Sequence, residues 1–307
     1  MEKNFHTPVP AAGQDALVNA FTRPLAVPDR QTGDTGAGWF TVYKLRENIF
    51  AIYEPRYFQR NYSYLVVGEK QALMIDAGAS TGDSIRKTIE ALTDKPCAVL
   101  PTHLHHDHLG GLAKFEKIWL ADTPSLADFK QADSRYHLPT SYIGGDFRNF
   151  HLPPFNADRL LADNADIDLG GVRLKVLHTP GHSREDVVIF YQDADIFFVG
   201  DYLYPGHLIC GNAQAYADSA ARLLALTSNE TLLLSAHASS RAGMPVMSAT
   251  DLVDLKNFLA GLLSCKMESK AFKSTRHSIA SAKCYAVNEK MSLLDELVWS
   301  DGSRYEF

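Results

Sequence analysis

The chain has 307 residues and a formal net charge of −6, and 46% of its residues are hydrophobic. This length and apolar content suffice for a substantial buried core, in one large α/β domain or two smaller ones. Lys and Arg are scattered and not in excess, which argues against a nucleic acid as partner. The sequence has no run of about 18 apolar residues, so we expect no membrane-spanning helix.

The N-terminus and the cysteines bear on location. Residues 1–6 contain no apolar stretch of the kind that a secretory signal needs. The cysteines are widely separated and form neither a Cys-x-x-Cys pair nor a small-domain disulfide framework, which predicts reduced thiols. They are Cys97, Cys210, Cys265 and Cys284. Together these features predict a cytoplasmic protein.

The first part of the chain predicts an extended arm followed by a meander of strands. Residues 1–38 are rich in Pro, Gly and Asp and show little periodicity, which predicts the arm. Beyond them, short apolar segments alternate with turn-forming or charged residues, as in consecutive strands. These strands are predicted over 40–45, 49–53, 62–67 and 72–75. Apolar residues spaced three and four apart predict a helix over 80–92, capped by Ser80 or Thr81.

A histidine-rich loop follows the next short strand, which is predicted over 98–100.

Similar strand and helix patterns recur further along the chain and suggest two alike halves. Strands are predicted over 172–177, 186–191, 196–199 and 231–235, and helices over 213–226 and 248–263. Residues 284–287 predict a final edge strand. We therefore expect an arm over 1–38, a main domain over 39–263, and a C-terminal extension over 264–307 that packs on that domain.

The loop reads THLHHDHLGG over residues 102–111. Imidazole nitrogens and carboxylate oxygens bind Zn²⁺ at about 2.0 to 2.2 Å, so ligands must converge within a few ångströms. Alternate residues of an extended turn project the same way, which pairs His103 with His105, while Asp107 and His108 follow where the chain bends. A polar surface loop would explain an isolated His-x-His. Four candidate ligands within six residues indicate a metal site instead, with a pair of ligands for each of two ions.

The motif THxHxDH followed by LGG resembles the signature of the metallo-β-lactamase superfamily. That superfamily has three further ligand motifs downstream, and this chain has all three in the same order. They are PGHS at 180–183, VGD at 199–201 and SAH at 235–237. The IDAG turn at 75–78 is similar to the superfamily's Asp-x-Gly turn. The resemblance covers about residues 40–240 and implies that the domain over 39–263 is a catalytic domain with a four-layer αββα sandwich fold.

The resemblance further implies a site for two divalent metal ions, with Zn²⁺ as the first choice and Fe or Mn²⁺ as alternatives. It assigns His103, His105 and His182 to one ion. It assigns Asp107, His108 and His237 to the other ion, and Asp201 to both. Asp76 would support the ligand loop through hydrogen bonds, or would only cap a turn.

The other histidines have separate expectations. His106 occupies a variable position of the motif, so we expect it to point away from the metals, at the surface or behind the ligands. His178 lies at the end of a strand, where packing is favoured over ligation. His207 follows Asp201 by six residues. From this position its side chain could equally face the substrate or point elsewhere. Four histidines lack any supporting context: His6, His137, His151 and His277.

The implied activity is hydrolysis, in which a metal-bound hydroxide attacks an ester, thioester or lactone carbonyl. Asp107 would also assist proton transfer. An aspartate bridge resembles the thioesterase of the glyoxalase pathway and the lactonases, and differs from the β-lactam-cleaving branches. Tyr204 follows Asp201 at a spacing similar to that of a lactonase tyrosine, which hydrogen-bonds the substrate carbonyl. An aromatic residue in the pocket wall is the alternative role for Tyr204.

Two regions bear on the small-molecule substrate. Residues 122–157 form an aromatic-rich insertion where the superfamily commonly builds its pocket, which would suit the acyl group of a thioester or lactone. Packing in the core is the competing use of these rings, which are Tyr136, Tyr142, Phe147, Phe150 and Phe155. The C-terminal basic residues do not match the glutathione-binding pattern of the glyoxalase enzyme and predict a solvated face. They are Lys270, Lys273, Arg276 and Lys283.

An iron-dependent oxidoreductase of the same fold is the alternative function. The di-iron branch attaches a flavodoxin-like domain, for which we expect no room in the 70 residues after His237. Persulfide dioxygenases use one iron and lack the second set of ligands, which this chain has. A nuclease would need a basic groove, and a non-catalytic binding module would have lost ligands. The sequence leaves the oligomeric state open, with residues 1–38 and 248–263 as segments that could pack on a neighbour.

Overall fold

The structure is a computed structural model that describes residues 24–25, 38–80, 85–144, 149–238, 245–264, 267–274, 279–299, 302 and 304–305. Several sequence predictions lie outside these residues. They concern most of the arm over 1–38, the Thr81 cap, Phe147, Cys265, Arg276, His6 and His277. Among the described residues, every helix is too short or too polar to cross a membrane.

The first half of the chain forms an eight-stranded sheet in which spatial order follows chain order. Its strands are β1 (Pro24–Leu25), β2 (Thr41–Arg46), β3 (Ile49–Tyr53), β4 (Tyr62–Val67), β5 (Ala72–Ile75), β6 (Cys97–Leu100), β7 (Lys117–Ala121) and β8 (Arg159–Leu161). Pairing is antiparallel from β1 to β5 and parallel from β5 to β8. Parallel neighbours need a crossover, and helix α1 (Ile85–Leu92) lies in the connection from β5 to β6.

The later strands form two further sheets in the described part of the chain. They are β9 (Asp166–Asp168), β10 (Arg173–His178), β11 (Val187–Tyr191), β12 (Ile196–Gly200), β13 (Gly206–Ile209), β14 (Leu232–Ser235), β15 (Val246–Ser248), β16 (Lys270–Ser274), β17 (Ile279–Ala286) and β18 (Met291–Trp299). A six-stranded sheet has the order β15-β14-β12-β11-β10-β9, and a four-stranded sheet has the order β13-β18-β17-β16. The remaining α-helices of the described residues are α2 (His106–Leu109), α3 (Ala213–Leu224) and α4 (Ala249–Leu263).

The two larger sheets pack face to face because alternate side chains of their strands point to opposite faces. Tyr64 of β4 and Phe198 of β12 face inward, and their rings meet with centroids 5.2 Å apart. Leu65, the next residue along β4, faces outward and belongs to the same apolar cluster as Ile89 of α1. Strand β4 therefore contributes to two cores.

The outer face of the second sheet is covered by the two long helices. Phe197 of β12 lies in one apolar cluster with Tyr216 of α3 and Leu252 of α4. The layers thus run helix, sheet, sheet, helix, which confirms the predicted αββα sandwich. Helix α4 begins after Ser248, whose side chain accepts the N–H of Asp251 in a capping box, so Ser248 caps the helix and does not belong to it.

The third sheet corrects one prediction. Residues 284–287 were expected to form an edge strand, but residues up to 286 belong to β17, which pairs with β16 on one side and β18 on the other. The expectation was wrong because β16, with the sequence KAFKS, is largely exposed and polar and carries no apolar strand signal. Strand β18 also pairs with β13 of the main domain. The boundary between 263 and 264 stays a prediction.

The described cysteines were expected to be reduced thiols, and the basic residues of the C-terminal region were expected to lie on a solvated face. Cys97, Cys210 and Cys284 are free thiols. Lys270, Lys273 and Lys283 are exposed on the third sheet.

Gly200, at the end of β12, provides a test of how closely the two sheets approach. Its φ is 51°, in the left-handed region, and a Cβ there would lie 2.4 Å from Thr102 Oγ1. Gly200→Ala should therefore lower the free energy of unfolding by more than the roughly 1–2 kcal/mol that left-handed backbone costs by itself. Urea unfolding measures this loss.

Gly171→Ala is the matched control for Gly200→Ala. Gly171 has a φ of 71°, but the nearest atom to an added Cβ is the carboxylate end of Glu69 at 3.3 Å. That side chain is flexible, so Gly171→Ala should show the backbone cost alone. Equal losses in the two variants would contradict the close approach at Gly200.

Candidate metal centre

The ends of four strands carry the residues that the sequence analysis singled out as ligands. His103 and His105 lie in the loop after β6, and Asp107 and His108 lie in the short helix α2 that follows it. The other three each follow a strand of the second sheet: His182 after β10, Asp201 after β12 and His237 after β14. Loops at strand ends hold side chains on a rigid base. The structure brings all seven residues together in two groups.

The first group contains three histidines and one aspartate. The candidate ligand atoms of His103, His105, His182 and Asp201 all lie within 4.8 Å of one another. His105 Nδ1 lies 2.9 Å from His103 Nε2 and 3.1 Å from His182 Nε2. A single proton cannot satisfy three imidazole nitrogens at these distances, whereas one cation can accept a lone pair from each.

The second group contains Asp107, His108 and His237, whose candidate ligand atoms also lie within 4.8 Å of one another. Asp201 stands between the two groups. Its Oδ1 lies 3.0 Å from His237 Nε2 and 3.4 Å from His108 Nε2, and its Oδ2 lies 3.7 Å from His182 Nε2. One carboxylate therefore faces both sets of ligands.

Polar atoms without partners test whether these residues suit a metal ion. Among the described residues, His108 Nε2 and Asp201 Oδ1 are fully buried and make no hydrogen bond. Buried polar atoms nearly always pair, so such atoms need an explanation. Both atoms face the other members of the two groups. Nitrogen and carboxylate donors with free lone pairs that point at one another are suited to divalent cations.

Hydrogen bonds behind the histidines orient their rings. The Thr102 hydroxyl donates to Asp76 Oδ1 at 2.9 Å, so its oxygen can accept from His103 Nδ1 at 3.2 Å. His182 Nδ1 donates to the carbonyl oxygen of Ile209 at 3.1 Å. Both contacts leave the Nε2 lone pair of the ring directed towards the other candidate ligands.

Asp76 supports the ligand loop, as the resemblance implied. Its carboxylate accepts hydrogen bonds from both the backbone N–H and the hydroxyl of Thr102. Its Oδ2 also lies 3.0 Å from His108 Nδ1. Such partners fix the orientation of metal ligands.

Burial and neighbouring charges set the protonation of the site. Burial, with the nearby imidazoles, holds the pKa values of His103 and His105 well below their usual range, so both rings are neutral and can ligate. Burial opposes ionisation of Asp201, but the imidazoles of His237 and His108 outweigh it and hold its pKa well below normal. The first group therefore combines neutral nitrogen donors with an ionised carboxylate. In the second group burial lowers the pKa values of His108 and His237, but the neighbouring carboxylates outweigh it and raise both pKa values.

Two supporting residues escaped the sequence analysis. Asn61 Nδ2 donates to the carbonyl oxygen of Asp107 at 2.8 Å, and Asn61 forms a β-bridge with His237, so one residue ties two ligand segments together. Glu54 accepts the backbone N–H groups of Ala79 at 2.8 Å and Ser80 at 3.0 Å. Burial raises the pKa of Glu54 to about 7. Single polar residues at strand ends carry no local motif that would have revealed these roles.

Three further histidines, His106, His178 and His207, differ in burial and in their contacts. His106 is buried, so the surface alternative was wrong; its Nε2 lies 3.1 Å from the Tyr57 hydroxyl, and its side chain belongs to neither ligand group. His178 packs against the sheet through Nε2, 3.0 Å from the Leu161 carbonyl oxygen. His207 is exposed and lines the cavity described below.

A cavity of about 410 Å³ opens beside the two ligand groups. His105, Asp107, His182 and Asp201 line one side of it. Much of the apolar wall of this cavity comes from the third sheet. Its residues include Ile209, Phe272, Ile279, Leu294 and Trp299.

The insertion over 122–157 lines the cavity through residues 139 and 141–144, as expected, but most of its described aromatic rings do not. Tyr136, Phe150 and Phe155 are buried in the core on the outer face of the first sheet, which was the competing use. Tyr142 lines the cavity, and its hydroxyl donates to Glu185 Oε2 at 2.7 Å. No local sequence pattern indicated that the third sheet would contribute to the apolar wall.

Tyr204 lines the cavity beside the second ligand group. Its ring meets that of His237 edge-on, with centroids 5.2 Å apart. Its hydroxyl donates to the carbonyl oxygen of His207. This arrangement matches the pocket-wall alternative, and donation to a substrate carbonyl stays a prediction.

Comparisons with known proteins bear on the family of this chain. The family model described as the metallo-beta-lactamase superfamily matches residues 56–238, more than half of the chain. Acyl-coenzyme A thioesterase MBLAC2 of Gallus gallus is 31% identical over 210 residues, covering 61% of this chain and 76% of the relative. A hydroxyacylglutathione hydrolase of Francisella philomiragia is 30% identical over 146 residues, 47% of this chain and 48% of that protein.

Solved structures show the same fold. The metallo-beta-lactamase from Pontibacter korlensis superposes with a TM-score of 0.52 at 18% identity, covering 72% of this chain and 99% of that one. At this identity the likeness concerns the fold alone. The ordered motifs, the αββα layers and the family match lead to one conclusion: this chain belongs to the metallo-β-lactamase superfamily.

Proposed function

We propose that this protein is a binuclear metal-dependent hydrolase that cleaves ester or thioester bonds, lactones included, of small molecules with an apolar acyl group. The observation that carries the proposal is the pair of ligand groups on either side of Asp201, next to a cavity with an apolar wall. Two divalent ions in these groups, with Zn²⁺ the first choice, would lower the pKa of a shared water towards about 7 and polarise the substrate carbonyl.

The residues of the chain would do the remaining work. His103, His105 and His182 would hold one ion, and Asp201 would keep the two ions at a fixed separation. Asp107 lines the cavity, and its backbone carbonyl is held by Asn61. From that position its carboxylate would hold the second ion with His108 and His237, and would accept a proton from the attacking water.

The cavity supports a substrate with an apolar portion. A carbonyl group at the ligand groups would place its acyl chain along the third sheet, where Phe272 and Leu294 line the wall. Burial of apolar surface there would contribute roughly 25 cal/mol for each Å² removed from water. The relative from Gallus gallus, named an acyl-coenzyme A thioesterase, supports the same class of substrate. In this proposal Tyr204 forms part of the wall.

The iron-dependent oxidoreductase is the alternative that the site supports less well. A centre with one iron would need only the first ligand group, whereas Asp107, His108 and His237 form a second group of similar compactness. One tightly bound iron per chain, together with persulfide-dependent oxygen uptake, would favour this alternative over the hydrolase.

Asp201→Ala tests the shared carboxylate. The variant should lower kcat/KM for an acyl thioester by on the order of 10³-fold or more, which corresponds to ~4 kcal/mol of transition-state stabilisation. Elemental analysis should give two metal ions per wild-type chain and fewer in the variant. Asp166→Ala is the control, since Asp166 is an exposed carboxylate that pairs with Lys175. Wild-type turnover in Asp201→Ala would show that the bridge is wrong.

Removal of metal should lower stability as well as activity. An ion that binds only the folded chain adds about 2.7 kcal/mol to the free energy of unfolding when its concentration is 100 times its Kd. Protein stripped with a chelator should therefore unfold at lower urea concentration, and added Zn²⁺ should restore the wild-type midpoint. Asp201→Ala should gain much less from the same Zn²⁺. An unfolding midpoint that does not respond to Zn²⁺ in the wild type would contradict the metal centre.

Phe272→Ala tests the apolar wall. The change removes an aromatic ring from the cavity side of β16, so kcat/KM for an octanoyl thioester should fall by roughly tenfold, or about 1.4 kcal/mol. The acetyl thioester, whose short acyl group buries little apolar surface, should react almost as in the wild type. Val253→Ala is the control, because Val253 is an exposed apolar residue of α4 outside the cavity. Equal losses for both thioesters would place the acyl group elsewhere.

A further inference from the structure

Tyr305 reaches the metal centre from outside the part of the chain that matches the family. The match ends at residue 238. Beyond β18 the chain folds back, with a β-bridge between Val298 and Arg304 and a hydrogen bond from the Tyr305 N–H to the Leu297 carbonyl oxygen at 2.9 Å. This return places the ring of Tyr305 against that of Trp299, with centroids 6.1 Å apart. Tyr305 is thereby held by the third sheet.

The hydroxyl of Tyr305 contacts two candidate ligands of the first group. It donates to the backbone carbonyl oxygen of His182 at 2.9 Å, and it lies 3.1 Å from His105 Nε2. A phenol has a single hydrogen, and a carbonyl oxygen can only accept. The hydrogen of Tyr305 therefore points to His182, and its oxygen must accept a hydrogen from His105 Nε2.

This direction of donation determines the tautomer of His105. A neutral imidazole has one N–H, and here Nε2 carries it, so Nδ1 keeps its lone pair. Nδ1 is the nitrogen that lies 2.9 Å from His103 Nε2 and 3.1 Å from His182 Nε2. The ring thus directs its free lone pair at the other two histidines of the group. In the described part of the chain, the Tyr305 hydroxyl is the one hydrogen-bond partner of His105 Nε2.

We propose that Tyr305 is a positioning residue of the metal centre, holding His105 as the Nε2–H tautomer and fixing the His182 segment through its carbonyl. The inference rests on the proposed function, since it assumes that the first ligand group binds a metal ion. It also gives the C-terminal segment a direct part in metal binding. His103 and His182 receive the same kind of support from within the matched region, through Thr102 and Ile209.

Tyr305→Phe tests the proposal because it removes the hydroxyl and keeps the ring. Its affinity for Zn²⁺, measured by competition with a chromophoric chelator, should be 10–100-fold weaker than that of the wild type, as is typical when a hydrogen-bond partner of a ligand is lost. The visible absorption of the Co²⁺-loaded variant should change as well. Tyr285→Phe, which removes a hydroxyl from β17 of the same sheet outside the cavity, should bind Zn²⁺ as the wild type does.

The outcomes separate this inference from the proposed function. A wild type that binds no Zn²⁺ would contradict the metal centre itself. A wild type that binds Zn²⁺ with the same affinity as Tyr305→Phe would contradict only the role of Tyr305. Urea unfolding of the metal-free proteins should show similar midpoints for the two, so weaker binding would not reflect a poorly folded variant.

A measurement on the wild type keeps the proposal testable if Tyr305→Phe does not fold. Nitrogen-15 NMR of protein labelled at histidine distinguishes the two ring nitrogens of His105, with and without Zn²⁺. We expect the proton on Nε2 in both states and Zn²⁺ on Nδ1. A proton on Nδ1 would overturn the assignment in either state.

Discussion

The hydrogen bonds of Thr102 join the two large sheets at the point where the ligand loop begins. From the first sheet, Asp76 accepts both its backbone N–H and its hydroxyl. From the second sheet, the N–H of Val187 donates to its carbonyl oxygen at 2.8 Å, and Gly200 leaves room for its side chain. Because His103 follows directly and Asp201 follows Gly200, this junction sets the distance between the ligand loop and the carboxylate between the two groups.

The buried polar groups around this junction carry an energetic cost that the site must offset. A charge or an unpaired donor removed from water costs several kcal/mol unless it is paired. Asp76 is paired with Thr102 and His108, whereas Asp201 Oδ1 and His108 Nε2 have no hydrogen bond in the described structure. The desolvation cost of these atoms is concentrated at one place, where two sheets anchor the strand-end loops. Buried polar groups without partners at one place are typical of functional sites.

The sequence was most informative where chemistry and periodicity were local. Strands β3, β4 and β5 have the predicted bounds, because each is a short apolar run between charged or turn-forming residues. The ligand loop was recognisable because four candidate ligands fall within six residues. His182, Asp201 and His237 could be placed only through the ordered motifs of a family. Spacing alone does not show that the ends of β10, β12 and β14 meet β6.

The features that the sequence did not reveal depend on long-range packing. Tyr305 and His105 are 200 residues apart and meet only because the chain after β18 folds back. Strand β16 pairs with β17 despite its polar sequence, and that pairing turns Phe272 towards the cavity. The aromatic residues of the insertion looked suited to a pocket, yet Phe150 and Phe155 fill the core. Composition identifies residues that can be buried, and tertiary contacts decide where.

The third sheet links two properties that the matched region does not supply by itself. Its apolar residues face the space where an acyl chain would lie, and Tyr305, attached to the same sheet, contacts two histidines of the first ligand group. In the proposed function, an acyl chain bound along the wall would lie beside the segment that we propose orients His105. Substrate length and metal binding would then be coupled through this sheet, and substitutions in β16 to β18 would alter both without changing a candidate ligand.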